Sequence, residues 1–154
     1  MKYSLRSLTI KQECFQNAVL FSITDNHALS TLSIGKQSFN VNNGHINMRN
    51  CSELKSLSFG EESFYNYISS FQLNNMTKLE SISFGPKALY NTLKMDLYNL
   101  PALRQIEINT ESFKMATSLT MNNMAALNQI IIGDRVFFNA YTFELQGINN
   151  YFGW

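Results

Sequence analysis

LKSLSFGEESF, residues Leu54–Phe64, recurs in altered form along the whole chain. The other copies are LRSLTIKQECF from Leu5, LSTLSIGKQSF from Leu29, LESISFGPKAL from Leu79, LRQIEINTESF from Leu103 and LNQIIIGDRVF from Leu127. Successive starts lie 24 or 25 residues apart, and the shared form is L-x-x-[LI]-x-[IF]-G-x-x-S-F. A second block precedes each new start: FSITDN, INMRNC, FQLNNM, MDLYNL, LTMNNM and FELQGI. Two repeats carry one extra residue, placed between the two blocks, where a turn absorbs it. Six copies in register define a repeat architecture.

Each block has a physical reading. Leu57-x-Phe59 alternates as a strand does, and so do Phe71-x-Leu73, Met95-x-Leu97 and Leu119-x-Met121. Two short strands per repeat follow. Gly35, Gly60, Gly85 and Gly133 close the first block, with Asn109 and Lys11 in their place elsewhere. Glycine there suggests a turn with positive φ. The aromatic residue four positions on (Phe15, Phe39, Phe64, Phe113, Phe137, with Leu89 once) is expected to stack inward as a column. No segment carries a 3.6-residue apolar stripe, so helices should be few and short. One coil cannot bury its apolar face alone, but stacked coils cover one another. The expected object is a β-rich solenoid of about six coils over residues 1–154, with two parallel sheets. A partial coil begins at Tyr151.

Composition narrows the function. Apolar residues make up 45% of 154, enough for a core, while charged residues make up only 15%. Lys plus Arg is 12 and Asp plus Glu 11, a formal net charge of +1. That balance argues against a basic nucleic-acid face and against a polybasic membrane-surface protein. In stacked coils a like-charged column would repel along its length at a spacing of about 4.8 Å, which explains why Ser, Thr and Asn fill the surface. Cys14 and Cys51 fall at different repeat positions, so a disulfide between them is not expected. The start, MKYSLRSLTIKQE, has no apolar core of a signal peptide, and no window suits a membrane-spanning helix.

One column is built from amides. Asn50, Asn75, Asn99 and Asn123 share a repeat position with Asp25. We read them as a ladder holding the turn after strand two, with buried amides. Asn50-Cys51-Ser52 and Asn75-Met76-Thr77 also match glycosylation sequons; the ladder reading leaves them unmodified.

The first block resembles the leucine-rich-repeat segment L-x-x-L-x-L-x-x-N-x-L. LESISFGPKAL matches its leucines directly, although Glu62, Lys87, Glu111 and Arg135 replace the usual Asn. It is more similar to the BspA-like (treponemal type) repeats, whose I-G-x-x-A-F signature reads SIGKQSF, SFGEESF and IIGDRVF here. The I-P-x-x-V strand of that family is missing. The resemblance implies a leucine-rich-repeat solenoid of protein-binding or adhesive function, in a cell-surface or secreted protein of a microbe or protist. It brings no catalytic residues.

The binding surface is then expected on one sheet. Strand one presents a uniform row of Thr9, Ser33, Ser58, Ser83, Glu107 and Ile131, beside Ser7, Thr31, Ser56, Ser81, Gln105 and Gln129. Strand two presents a varied row of Ser22, Asn47, Gln72, Asp96, Thr120 and Glu144, flanked by Arg49, Asn74, Tyr98 and Asn122. Variation between copies is where a repeat protein can encode a partner, which favours strand two. Arg49, Asp96 and Glu107 are the charged positions most worth testing. Tyr65, Tyr67, Tyr90 and Tyr98 lie in or near the turns, as interface anchors or as shields of the turn. Ile131 and Phe138 mark possible contacts with a further coil or chain.

Enzyme chemistry has little to stand on. His27 and His45 are the only histidines, and G-x-S-x-G, H-E-x-x-H and phosphate-cradling loops are missing. No cofactor or metal is expected. The chain starts almost on a strand and stops partway into a seventh coil, with no polar cap. It reads as part of a longer array or as a unit whose uncapped ends self-associate. The alternative function is therefore a structural protein, assembling end to end or side by side.

Overall fold

The computed structural model describes residues 4–148. Every regular element in them is a strand. The order is β1 (Ser7–Ile10), β2 (Leu20–Thr24), β3 (Thr31–Ile34), β4 (His45–Arg49), β5 (Ser56–Phe59), β6 (Phe71–Asn74), β7 (Ser81–Phe84), β8 (Lys94–Tyr98), β9 (Gln105–Ile108), β10 (Ser118–Met124), β11 (Gln129–Ile132) and β12 (Thr142–Ile148). Odd strands form one parallel sheet in the order β1-β3-β5-β7-β9-β11. Ser56 stands opposite Ser81, and Ser81 opposite Gln105, so the repeat sets the register. Each coil is one turn of a β-solenoid, numbered 1 to 6 from the strands beginning at β1. The expected partial coil from Tyr151 lies outside the described residues.

The core is the stack of inward side chains. Leu54, Leu57, Phe59, Phe64, Phe71, Leu73 and Met76 of coil 3 are all buried. Burial of each such side chain contributes roughly 1.5–3 kcal/mol. The phenylalanine column forms as expected: Phe15 stacks on Phe39 at 5.1 Å, Phe39 on Phe64 at 4.7 Å and Phe113 on Phe137 at 5.5 Å. Phe71 meets Phe59 and Phe84 edge-on at 5.5 Å. Such pairs add about 0.5–1.5 kcal/mol beyond area burial. Cys51 is buried, Cys14 is half-buried, and both are free thiols.

The glycine expectation is wrong in its reason. Gly35, Gly60, Gly85 and Gly133 are not left-handed; in the same turns Glu62 (φ 55) and Phe64 (φ 54) are, with their counterparts in each coil. Glycine is needed for close approach instead. A Cβ on Gly60 would lie 2.6 Å from the Lys36 nitrogen, and one on Gly85 2.6 Å from the Glu61 nitrogen. A left-handed phenylalanine is strained by roughly 1–2 kcal/mol, which the buried aromatic stack offsets. Beside it, Ser38, Ser63 and Ser112 are fully buried. Ser112 Oγ donates to the Gly85 carbonyl at 2.7 Å, and Ser38 Oγ to the Lys11 carbonyl at 2.9 Å. Where the S-F signature has its serine, in coils 2, 3 and 5, that side chain pins the turn to a carbonyl.

The second face departs from the expected continuous sheet. Its strands form two sheets: β2-β4, and β6-β8-β10-β12. Coils 2 and 3 hold the extra residue. In coil 2 it is taken up by a turn with Asn43 left-handed (φ 60). In coil 3, Tyr67 stands where Ala18, Thr92 and Ala116 stand in other coils, each closing the same turn onto the residue three before it. The tyrosine ring runs beneath coil 2, and its hydroxyl donates to the Ala18 carbonyl of coil 1. A ring in a position that smaller side chains fill elsewhere holds the second halves of coils 2 and 3 apart, while Phe64 N still bonds Ser38 O in the first halves. The stack therefore opens as a wedge between β4 and β6.

Candidate partner-binding face and wedge

Strand alternation sends every second residue of the even strands outward. Asn47, Arg49, Gln72, Asn74 and Glu144 are exposed, and Asp96, Tyr98, Thr120 and Asn122 are partly exposed. Gln72 is in register with Asp96, Asn74 with Tyr98, Thr120 with Asp96 and Glu144 with Thr120. The face runs continuously from β6 to β12 and is separated by the wedge from Asn47 and Arg49 on β4. Gln72 Nε2 donates to Asp96 Oδ2 at 3.3 Å. The Tyr98 hydroxyl is pushed up from its ordinary range, by burial first and by Asp96 and Glu144 second. It remains a proton donor at neutral pH.

The wedge gathers four of these residues. Ile46, Asn47, Met48, Arg49, Ser70, Gln72 and Asn74 line a cavity of about 230 Å³. Openings of about 370 and 460 Å³ lie around Ser4, His27 and Ala28. These are more open to solvent.

The asparagine column forms a ladder, but not a buried one. Asn50 Nδ2 donates to Asp25 Oδ1 at 2.8 Å, Asn99 to Asn75 at 3.0 Å and Asn123 to Asn99 at 2.9 Å. All five residues are exposed and left-handed, with φ between 52 and 59. The amides therefore serve backbone geometry at the surface, since Asn tolerates that conformation best after glycine. Gly147 (φ 60) takes the position in coil 6. The ladder is interrupted between Asn50 and Asn75, at the wedge. A second amide set went unread in the sequence: Asn91 Nδ2 donates to Asn66 Oδ1, and Asn66 Nδ2 to Asn40, at 3.2 Å. Its signal was the recurrence of Asn one or two residues after the column position of Phe39, Phe64 and Leu89.

Tyr67 is no interface anchor, because it is fully buried, and burial pushes its phenol up to about 12. Tyr65 and Tyr90 stack on each other at 4.6 Å, with Lys114 Nζ 5.3 Å from the Tyr90 ring. Where charges do stack, their sign alternates: Lys78 pairs with Glu53 at 2.7 Å, and Lys36 with Glu61 at 3.2 Å. The Lys78 hydrogen bond holds the Glu53 carboxyl below its usual range. Ile131 (42%) and Phe138 (63%) are exposed at the last coil.

His27 Nδ1 lies 3.0 Å from Ser52 Oγ, a pairing not foreseen, at an exposed site. Asp25 accepts from Asn50 Nδ2 and, among the described residues, makes no hydrogen bond to that imidazole. Among the described residues, no group of three or more His, Cys, Asp or Glu is placed to hold a metal ion, and no helix is long and apolar enough to cross a membrane. None of the protein-family models, curated proteins or solved structures compared with the chain matches it.

Proposed function

We propose that the chain is a non-enzymatic protein-binding or adhesion module of leucine-rich-repeat, BspA-like type, part of a cell-surface or secreted protein. Its partner is a protein or a host-surface ligand, taken without cofactor or metal. One observation carries the reading: the second face sets chemically different side chains (Gln72, Asp96, Thr120, Glu144) in a ladder-ordered row, while the first face repeats serine at Ser33, Ser58 and Ser83. A row ordered by backbone pairing loses little entropy on binding, which favours recognition. The test is binding of fluorescently labelled protein to intact host cells by flow cytometry. Substituting Gln72, Asp96 and Thr120 together by alanine should abolish binding, while Ser58→Ala with Ser83→Ala should not. Unchanged binding by the triple variant, with native circular dichroism, refutes the assignment.

A structural, self-assembling role is the second reading. It is favoured by apolar exposure at the two ends of the described stack: Phe15 (60%), Val19 and Leu20 at one, Tyr141 (83%), Phe143 and Leu145 at the other. Large apolar side chains exposed together at an end of the stack suit contact with another coil or chain. A strictly monomeric species in sedimentation at high concentration would remove it.

A further inference from the structure

We infer that the wedge between coils 2 and 3 binds the C-terminal carboxylate of a partner polypeptide, together with its last amide group. This deepens the protein-binding reading of the second face and rests on it.

The main chain supplies the first argument. In a parallel ladder, successive residues direct their N–H and C=O groups to opposite neighbours. His45 N and Arg49 O are engaged by coil 1, so Ile46 and Met48 between them point at coil 3. Tyr98 O receives Asn75 N from coil 3, and the equivalent residues of coil 3 (Ser70, Gln72 and Asn74) accordingly point at coil 2. No backbone bond joins β4 to β6 among the described residues. Two rows of donors and acceptors thus face one another across the cavity, and such groups need partners.

Size restricts the occupant. β4 and β6 keep Cα atoms within 8 Å of each other. A complete strand inserted between them would hold them about 9.5 Å apart, twice the usual spacing. The cavity of about 230 Å³ equals roughly seven or eight water volumes. A chain end fits that space better than a running segment.

Charge selects the end. Arg49 is the one charged side chain in the lining, and it joins no ion pair among the described residues. Among the described residues no carboxylate belongs to the lining; the adjacent Asp96 is held by Gln72. A guanidinium fork matches a carboxylate in a bidentate fashion. The Asn47, Gln72 and Asn74 amides can both donate to and accept from a peptide group. Backbone capture of a terminal carboxylate is a known recognition mode.

The test is a ¹⁵N–¹H NMR titration of the whole chain with N-acetyl-alanyl-alanine, with its C-terminal methylamide and with glucuronic acid. The free acid should give saturable shifts at the Ile46, Met48, Gln72 and Asn74 amides, with Kd on the order of 1 mM. Arg49→Gln should weaken this about tenfold or more, and Arg49→Lys, which keeps charge but loses the fork, by a smaller factor. Equal shifts with the methylamide, no saturable shifts with the acid, or unchanged affinity in Arg49→Gln overturns the inference. Glucuronate binding as well as the peptide acid overturns the peptide assignment. If the titration fails while the triple variant still loses cell binding, only the wedge ligand is removed and the parent reading stands.

Discussion

Tyr67→Phe isolates the hydrogen bond that anchors the ring at the wedge. The ring remains, still edge-on to Phe64 at 4.9 Å, and only the hydroxyl that donates to Ala18 is lost. Removing one partner of a buried hydrogen bond costs about 1–2 kcal/mol, since the other is left unsatisfied. For a chain of this length that lowers Tm by roughly 2–8 °C. The pH dependence sharpens the test. Burial pushes the Tyr67 phenol from about 10 up to about 12. The folded chain therefore holds this proton beyond the pH at which the unfolded chain releases it. The stabilisation is complete below pH 10 and is lost as pH rises toward 12, by roughly 2–3 kcal/mol. Phenylalanine has no such loss. Urea denaturation followed by far-ultraviolet circular dichroism at several pH values should show wild type ahead at pH 8. The two stability curves should cross near about pH 11, where the lost titration equals the lost hydrogen bond. Tyr65 and Tyr98 are also raised, but they are present in both proteins and cancel in the difference. Parallel curves from pH 8 to 12 would refute a buried, bonded hydroxyl at this position.

Gly44→Ala should destabilise by about 1–3 kcal/mol through overpacking, because the added Cβ would lie 2.2 Å from the Tyr67 ring. In a Tyr67→Ala background the same change should be nearly neutral, and additive urea midpoints would sink the account. Asn99→Ala places a Cβ residue without a polar side chain at φ 52 and removes two ladder bonds. It should cost about 1–2 kcal/mol, and Asn99→Gly should cost less, since glycine accepts the conformation. A thermal melt in which the glycine variant is the less stable of the two would contradict this.

The repeat was legible because each inward position recurs every 24 or 25 residues, and stacking converts sequence period directly into strand register. Leu57, Phe59, Phe71 and Leu73 were placed correctly by alternation alone. The glycine turn was misread because left-handed backbone is normally a property of residue type. Here Glu62 and Phe64 adopt it under the constraint of neighbouring coils. Burial of the amide column was misjudged for a related reason: Asn50 and Asn75 are chosen for φ, and the turn they make lies at the surface.

Local periodicity by itself determined the solenoid, its two strands per coil, the aromatic column and the varied outward row. These depend only on which side chains recur, and recurrence is written in the chain. The wedge was decided by tertiary structure alone. It depends on one ring, Tyr67, packing against Gly44 and reaching a carbonyl of coil 1, 49 residues away. The extra residue in coils 2 and 3 marks the place, but a turn can absorb an insertion without parting two strands. What parts them is the volume of a side chain in a position that alanine or threonine fills in coils 1, 4, 5 and 6, and that volume acts only once three coils are stacked.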